Sequence, residues 1–252
     1  MEIYLFVLLY SLLIASFLNV VGLRVPLGQS VVKPRSACPT CKRTLGALEL
    51  IPVVSYVLQR GKCKNCGEVI SPLYPIMELT TAILFTISPL LVGWSKELIV
   101  AWSLISLLMI ITVSDIKYMI IPDKVLLFFL PLFSIERMFI PLTPWWDALA
   151  GAFVGFSLLY LIAFVTKGKG MGGGDIKLYG VLGIVLGTKL TIVSFFLAAF
   201  IGALVGGIGL ALRLLQRNKP IPFGPFIVIG TLIAYFFGHE LINIYLDLIG
   251  YY

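Results

Sequence analysis

Apolar residues in this chain fall in long blocks, not in the alternation of a half-buried strand or the three-and-four spacing of an amphipathic helix. A helix needs roughly 20 apolar residues to cross a bilayer. Measured against that length, eight blocks qualify as candidate spans, at about 3–22, 74–93, 97–114, 119–140, 147–166, 176–187, 189–212 and 224–248. The sixth is short and reads as a half-helix. The one large polar interruption, 23–73, is rich in cysteine, proline and basic residues. The pattern predicts an all-α polytopic membrane protein of about eight transmembrane helices, with a small folded module between spans 1 and 2. It divides the chain into a first span (1–22), the module (23–73) and a membrane domain (74–252).

Composition sharpens this picture. At 60% hydrophobic and only 12% charged, the chain lies outside the range of ordinary soluble domains. The opening EIYLFVLLYSLLIASFLNVVGLR has no basic start, runs too long for a signal peptide, and is followed by Arg24. It reads as a permanent span.

Charge then sets the expected orientation. Arg24, Lys33, Arg35, Lys42, Arg43, Arg60, Lys62 and Lys64 crowd the module, against Glu49 and Glu68. The positive-inside rule makes that stretch cytoplasmic. Threading the spans from there also puts Lys117, Lys124, Lys167, Lys169, Lys177, Arg213, Arg217 and Lys219 inside, leaving only Lys96, Arg137 and Lys189 outside. Trp94, Trp145, Trp146, Tyr251 and Tyr252 collect on the outer side as an aromatic belt. Both termini are therefore expected outside. The net charge of +7 reads as topology and contact with anionic lipid, not as a nucleic-acid surface.

All four cysteines sit in the module, as CPTC at 38–41 and CKNC at 63–66. Two Cys-x-x-Cys units at about this separation point to a tetrathiolate zinc site held by Cys38, Cys41, Cys63 and Cys66. Four protein ligands leave no open position, so the zinc would be structural. Two disulfides are the alternative, disfavoured by a reducing cytoplasm.

The triplet Asp-Ile-Lys occurs twice, in SDIKYMIIPD at 114–123 and in GMGGGDIKLYG at 170–180. By span counting, Asp115 ends the third span and Asp175 begins the sixth, both at the cytoplasmic edge. Acids at membrane depth cost about 2.5–3.5 kcal/mol on insertion scales and are functional candidates by default. Two carboxylates brought together share one proton, so that one is a base for water and the other an acid for a carbonyl. Gly172, Gly173 and Gly174 would supply unusual backbone angles and room for a substrate strand. The positive end of a helix dipole favours the charged form of Asp175. Lys117 and Lys177 read as interface anchors, Asp123 as a helix cap, and Glu78 as a helix N-terminal contact.

Several chemistries drop out. His239, the single histidine, falls inside the last span and is expected in the packed core, so a Ser-His-Asp or Cys-His site has no candidate. No phosphate-binding G-x-x-x-x-G-K-[ST] loop is present, and GKGKG at 168–172 lacks a preceding strand.

These residues resemble the type IV prepilin peptidases. ASFLNVVGLRVPLGQSVVKPRSACPTC is similar to that family's amino-terminal block, as are LIPVVSYVLQRGKCKNCGEVISPLYPIMEL, DIKYMIIPD, MGGGDIKLYG and PFGPF at 222–226. The resemblance implies a bifunctional enzyme of the bacterial cytoplasmic membrane that serves pilus, competence and secretion assemblies. Such an enzyme removes the basic leader of prepilins or pseudopilins on the cytoplasmic side, and then methylates the new amino terminus from S-adenosylmethionine. It maps the catalytic aspartates onto Asp115 and Asp175 and the cysteine quartet onto Cys38, Cys41, Cys63 and Cys66. It assigns no residue to the methyl donor. ELIP at 49–52, where many members carry Asn before Ile-Pro, is similar to the competence-type enzymes of Gram-positive bacteria. The competing reading is a cation-coupled transporter using the two aspartates, and a third is a membrane scaffold whose zinc loop docks a partner.

Overall fold

The computed structural model describes residues 2–168, 171–214, 221–248 and 250. Lys169, Arg217, Lys219, Tyr251 and Tyr252, counted above for orientation, lie outside them. The long elements are helices: α1 (Glu2–Arg24), α2 (Val54–Leu58), α3 (Leu73–Val92), α4 (Glu97–Tyr118), α5 (Asp123–Phe139), α6 (Asp147–Val165), α7 (Gly173–Ala211) and α8 (Gly224–Leu248). Six of them are long and apolar enough to cross a membrane.

The eight expected blocks and the six long apolar helices differ in two places. Helix α5 has 17 residues, about 25 Å, the lower limit for a crossing. Met119, with φ 55°, ends the preceding helix, and Ile121 cannot easily be helical before Pro122. The blocks at 176–187 and 189–212 are two helical segments of α7, 173–186 and 188–211, that meet at Gly187, whose backbone is not helical (φ 70°, ψ 177°). Tyr179 lies 3.4 Å from Ser194 across the joint, where one continuous helix would hold them about 22 Å apart. The break anticipated between those blocks is therefore real, although no loop separates them.

Residues Met1–Lys117 form one compact unit. In it α1 packs along α3, and Asn19 donates to the carbonyl of Tyr74 at 3.1 Å. Gly22 lets α1 approach α4, since a β-carbon there would stand 2.9 Å from both the Ile110 carbonyl oxygen and Val113. Trp102 of α4 stacks on Phe85 of α3 and donates its indole N–H to Ser88 at 2.9 Å. The other face of α1 leaves Phe6, Leu9, Leu13 and Phe17 exposed, as suits a helix whose solvent is hydrocarbon.

Residues Tyr118–Tyr252 form the second unit. Here α6 lies against α7 through glycine. A β-carbon on Gly151 would overlap the carbonyl oxygen of Gly183, and one on Gly155 that of Tyr179. Such small-residue contacts bring membrane helices into backbone proximity. Beyond Gly187 in α7, Gly230 of α8 rests on Ser194 and Ala198. A buried chain of hydroxyls runs from Tyr179 to Ser194 to Thr231, with a 2.9 Å link between the last two. His239 departs from expectation: it is exposed on α8 rather than packed in the core.

Candidate active site

The two cysteine pairs fold alike. Ala37 bridges Thr44 and Lys62 bridges Val69, each pairing enclosing one Cys-x-x-Cys turn. In the first turn Cys38 N–H donates to the Arg43 carbonyl, and in the second Cys63 N–H donates to that of Glu68. The residue after each pair, Lys42 or Gly67, has positive φ (57° and 72°), which reverses the chain. The four sulfurs all lie within 4.8 Å of one another, and Cys38 Sγ is 3.7 Å from Cys66 Sγ. A tetrahedral zinc at about 2.3 Å from each sulfur requires sulfurs about 3.8 Å apart. The cluster is therefore consistent with a metal site, and all four cysteines are free of disulfides.

Electrostatics in the cluster are uneven. The backbone N–H of Arg43, then the Asn65 amide, lowers the Cys41 thiol to about 6. The Glu68 N–H lowers the Cys66 thiol, but desolvation and hydrogen bonds to Cys38, Cys63 and Cys41 outweigh it and push it up to about 11. Beside the cluster, Glu49 accepts from the Gly46 N–H at 2.9 Å and pairs with Arg43 at 2.5 Å. The Gly46 N–H and then Arg43 hold its carboxyl below the usual range.

Glu78 proves to be more than a helix-start contact. Its carboxylate accepts the N–H of Val53 at 2.8 Å, reaching from α3 into the cysteine module. Val53 sits at φ 61°, ψ −52°, an outlier for a β-branched residue. Sequence spacing could not have paired residues 53 and 78; the only hint was an acid among apolar neighbours.

The aspartates occupy the predicted helix ends. Asp115 is buried in the last turn of α4 in the first unit. Asp175 is the third residue of α7 in the second unit, and its Oδ2 accepts the Gly172 N–H at 3.1 Å. That bond closes the first turn and orients the carboxylate.

The glycines before Asp175 do not serve the expected unusual backbone angles, because none of the three has positive φ. Gly174 is required for close approach: a β-carbon there would lie 2.8 Å from Ile121. A β-carbon on Gly172 would lie 3.0 Å from the Asp175 carboxylate itself, and one on Gly173 would meet open space.

The sequence reads Lys177 as an interface anchor and Asp123 as a helix cap. Instead, Lys177 Nζ binds both oxygens of Asp123, at 2.9 and 2.7 Å, and Asp123 makes no capping bond. The pair ties the start of α5 to the start of α7, within two residues of Asp175. It is half-exposed, where an ion pair contributes about 0–1 kcal/mol.

Spans long enough for a bilayer and a four-cysteine module between the first two of them define a multi-pass membrane protein with a clustered thiol site. The chain belongs to the type IV leader peptidase family. The model of the bacterial peptidase A24 N-terminal domain matches residues 9–92, and that of the type IV leader peptidase family matches 102–207. Among its relatives is a prepilin leader peptidase/N-methyltransferase of Bacillus subtilis (strain 168), 45% identical over 240 residues, 95% of this chain and 96% of the relative. Proteins of the same description from Aeromonas salmonicida (strain A449), 35% identical, and Pseudomonas aeruginosa, 34% identical, align over 96% and 97% of this chain and 94% and 93% of their own. No solved structure matches it.

Proposed function

We propose that this chain removes the leader peptide of type IV prepilins or pseudopilins at the cytoplasmic face of the bacterial membrane, and then N-methylates the new amino terminus. The observation that carries the reading is similarity to a leader peptidase/N-methyltransferase across nearly the full length of both chains. The acid-bearing motifs fall at helix ends in support of it.

In this reading Asp115 and Asp175 are the acid and base of the hydrolysis. One carboxylate takes a proton from water as the oxygen adds to the scissile carbonyl carbon. The other, protonated, donates to the carbonyl oxygen. Collapse of the tetrahedral adduct breaks the C–N bond, and the amine departs with the transferred proton. The Gly172 N–H bonded to Asp175 orients the carboxylate there. Open space at Gly173 leaves room for an extended substrate strand. S-adenosylmethionine is the methyl donor of the second reaction.

Cys38, Cys41, Cys63 and Cys66 would hold one structural zinc ion, which supplies cross-linking to the module and takes no part in either reaction.

The test uses purified enzyme, a prepilin and labelled S-adenosylmethionine, with the product's amino terminus read by mass spectrometry. Asp115→Asn and Asp175→Asn should each abolish cleavage while leaving membrane insertion and metal content intact. Cleavage retained in either variant would remove that residue from the mechanism. An unmethylated mature product from the parent enzyme would discard the second activity.

A further inference from the structure

Two charged residues, Arg137 near the end of α5 and Asp147 at the start of α6, have no part in the chemistry above, yet both are directed at one point in α7. Arg137 is buried. It donates to the carbonyl oxygen of Val185 from Nη2 at 2.6 Å and from Nε at 3.2 Å, and to that of Ile140 from Nη1 at 3.4 Å. Asp147 Oδ1 accepts the N–H of Thr188 at 3.2 Å. Between those two backbone groups lies Gly187, the non-helical residue of α7. Any β-carbon on Gly187 would overlap Asp147 Oδ2.

A break inside an apolar helix frees carbonyls on one side and N–H groups on the other, and hydrocarbon cannot satisfy either. Arg137 therefore caps the end of the segment 173–186, and Asp147 caps the start of 188–211. The signs suit the dipoles, with a cation at a helix C-terminus and an anion at an N-terminus.

The capped segment carries Asp175 at its other end. At about 1.5 Å per residue it is about 20 Å long, so turning it by about 10° at Gly187 would displace that end by about 3–4 Å. Catalytic groups lose about a hundredfold in rate on misplacement by about 1 Å. The direction set at the break is thus a condition for activity. Glycine contacts from α6 set how close the segment lies to its neighbour, but they satisfy none of the freed groups at the joint. The Lys177–Asp123 pair at the near end is half-exposed.

We propose that Arg137 and Asp147 are positioning residues for the peptidase reaction: by capping both sides of the Gly187 break they fix the direction in which residues 173–186 present Asp175. This rests on Asp175 being catalytic, as proposed above.

The experiment measures prepilin cleavage by full-length protein in lipid nanodiscs for Arg137→Gln, Asp147→Ala and Asp147→Asn, with thermal midpoints alongside. Arg137→Gln and Asp147→Ala should lower kcat at least tenfold with KM within about twofold and little change in midpoint. Asp147→Asn keeps an acceptor for the Thr188 N–H and should recover most of the loss. A kcat within twofold of the parent in both truncating variants overturns the proposal. So does a loss that follows the midpoint and is not recovered by Asn; should Arg137→Gln fail to fold, the two Asp147 variants decide alone. Asp175→Asn in the same assay separates the two levels: activity there discards the aspartate mechanism, whereas an inactive Asp175→Asn beside fully active Arg137→Gln and Asp147→Ala discards only the brace.

Discussion

Val53 holds one of the least comfortable backbone conformations in the molecule, and Glu78 explains how it persists. The carboxylate of Glu78 accepts the Val53 N–H at 2.8 Å, so a strained turn of the cysteine module is fastened to a membrane helix. Removing the acceptor leaves a donor without its partner, at a cost of about 1–3 kcal/mol. Glu78→Ala should therefore lower the thermal midpoint and speed hydrogen exchange at residues 51–55, while Glu78→Gln, which retains a carbonyl oxygen, should stay close to the parent. Equal exchange in the two variants would dissociate Glu78 from the turn. Gly174 makes the complementary point. Its residue type is set by a neighbour, Ile121, and no argument from backbone freedom along the chain could have supplied that.

At the level of elements, the two cysteine turns are near copies whose sulfurs meet only because the module folds back on itself. Without metal, the thiols should differ in reactivity. At pH 7 Cys41, lowered to about 6, is mostly thiolate, whereas Cys66, raised to about 11, is protonated despite its greater exposure. Since the thiolate is the nucleophile, alkylation of metal-stripped protein should label Cys41 before Cys66. Adding zinc should protect all four at one ion per chain, measured by mass spectrometry and metal analysis. Faster labelling of Cys66, or no bound zinc, would contradict this account. The helices divide in a similar way. Hydrophobic block length gave away α1, α3, α4, α6 and α8, because burial in hydrocarbon depends on composition alone. How the break at Gly187 is capped was not legible, since it depends on Arg137 and Asp147 arriving from other elements.

Across the whole molecule, orientation is the property on which the proposed function depends. The basic module, by the positive-inside rule, should lie in the cytoplasm, and with it, α5 and α6 both crossing, the ends of α4 and α7 that carry Asp115 and Asp175. Single thiols introduced at 115 and 175, in a background whose native cysteines are shielded by metal, should be labelled only from the cytoplasmic side. Labelling from opposite sides would end the aspartate mechanism. Exposed apolar faces such as that of α1 are consistent with this setting, because lipid rather than water is the surrounding phase.

The sequence by itself determined the all-helical membrane class, the four-cysteine module and the two acids, since these follow from block length, pair spacing and the rarity of charge among apolar residues. Tertiary structure decided which polar groups meet: Glu78 with Val53, Lys177 with Asp123, and Arg137 and Asp147 on either side of Gly187. Hydrophobic pattern is a property of each segment in its solvent, whereas hydrogen-bond partners depend on where other segments come to rest, and only the folded chain brings those together.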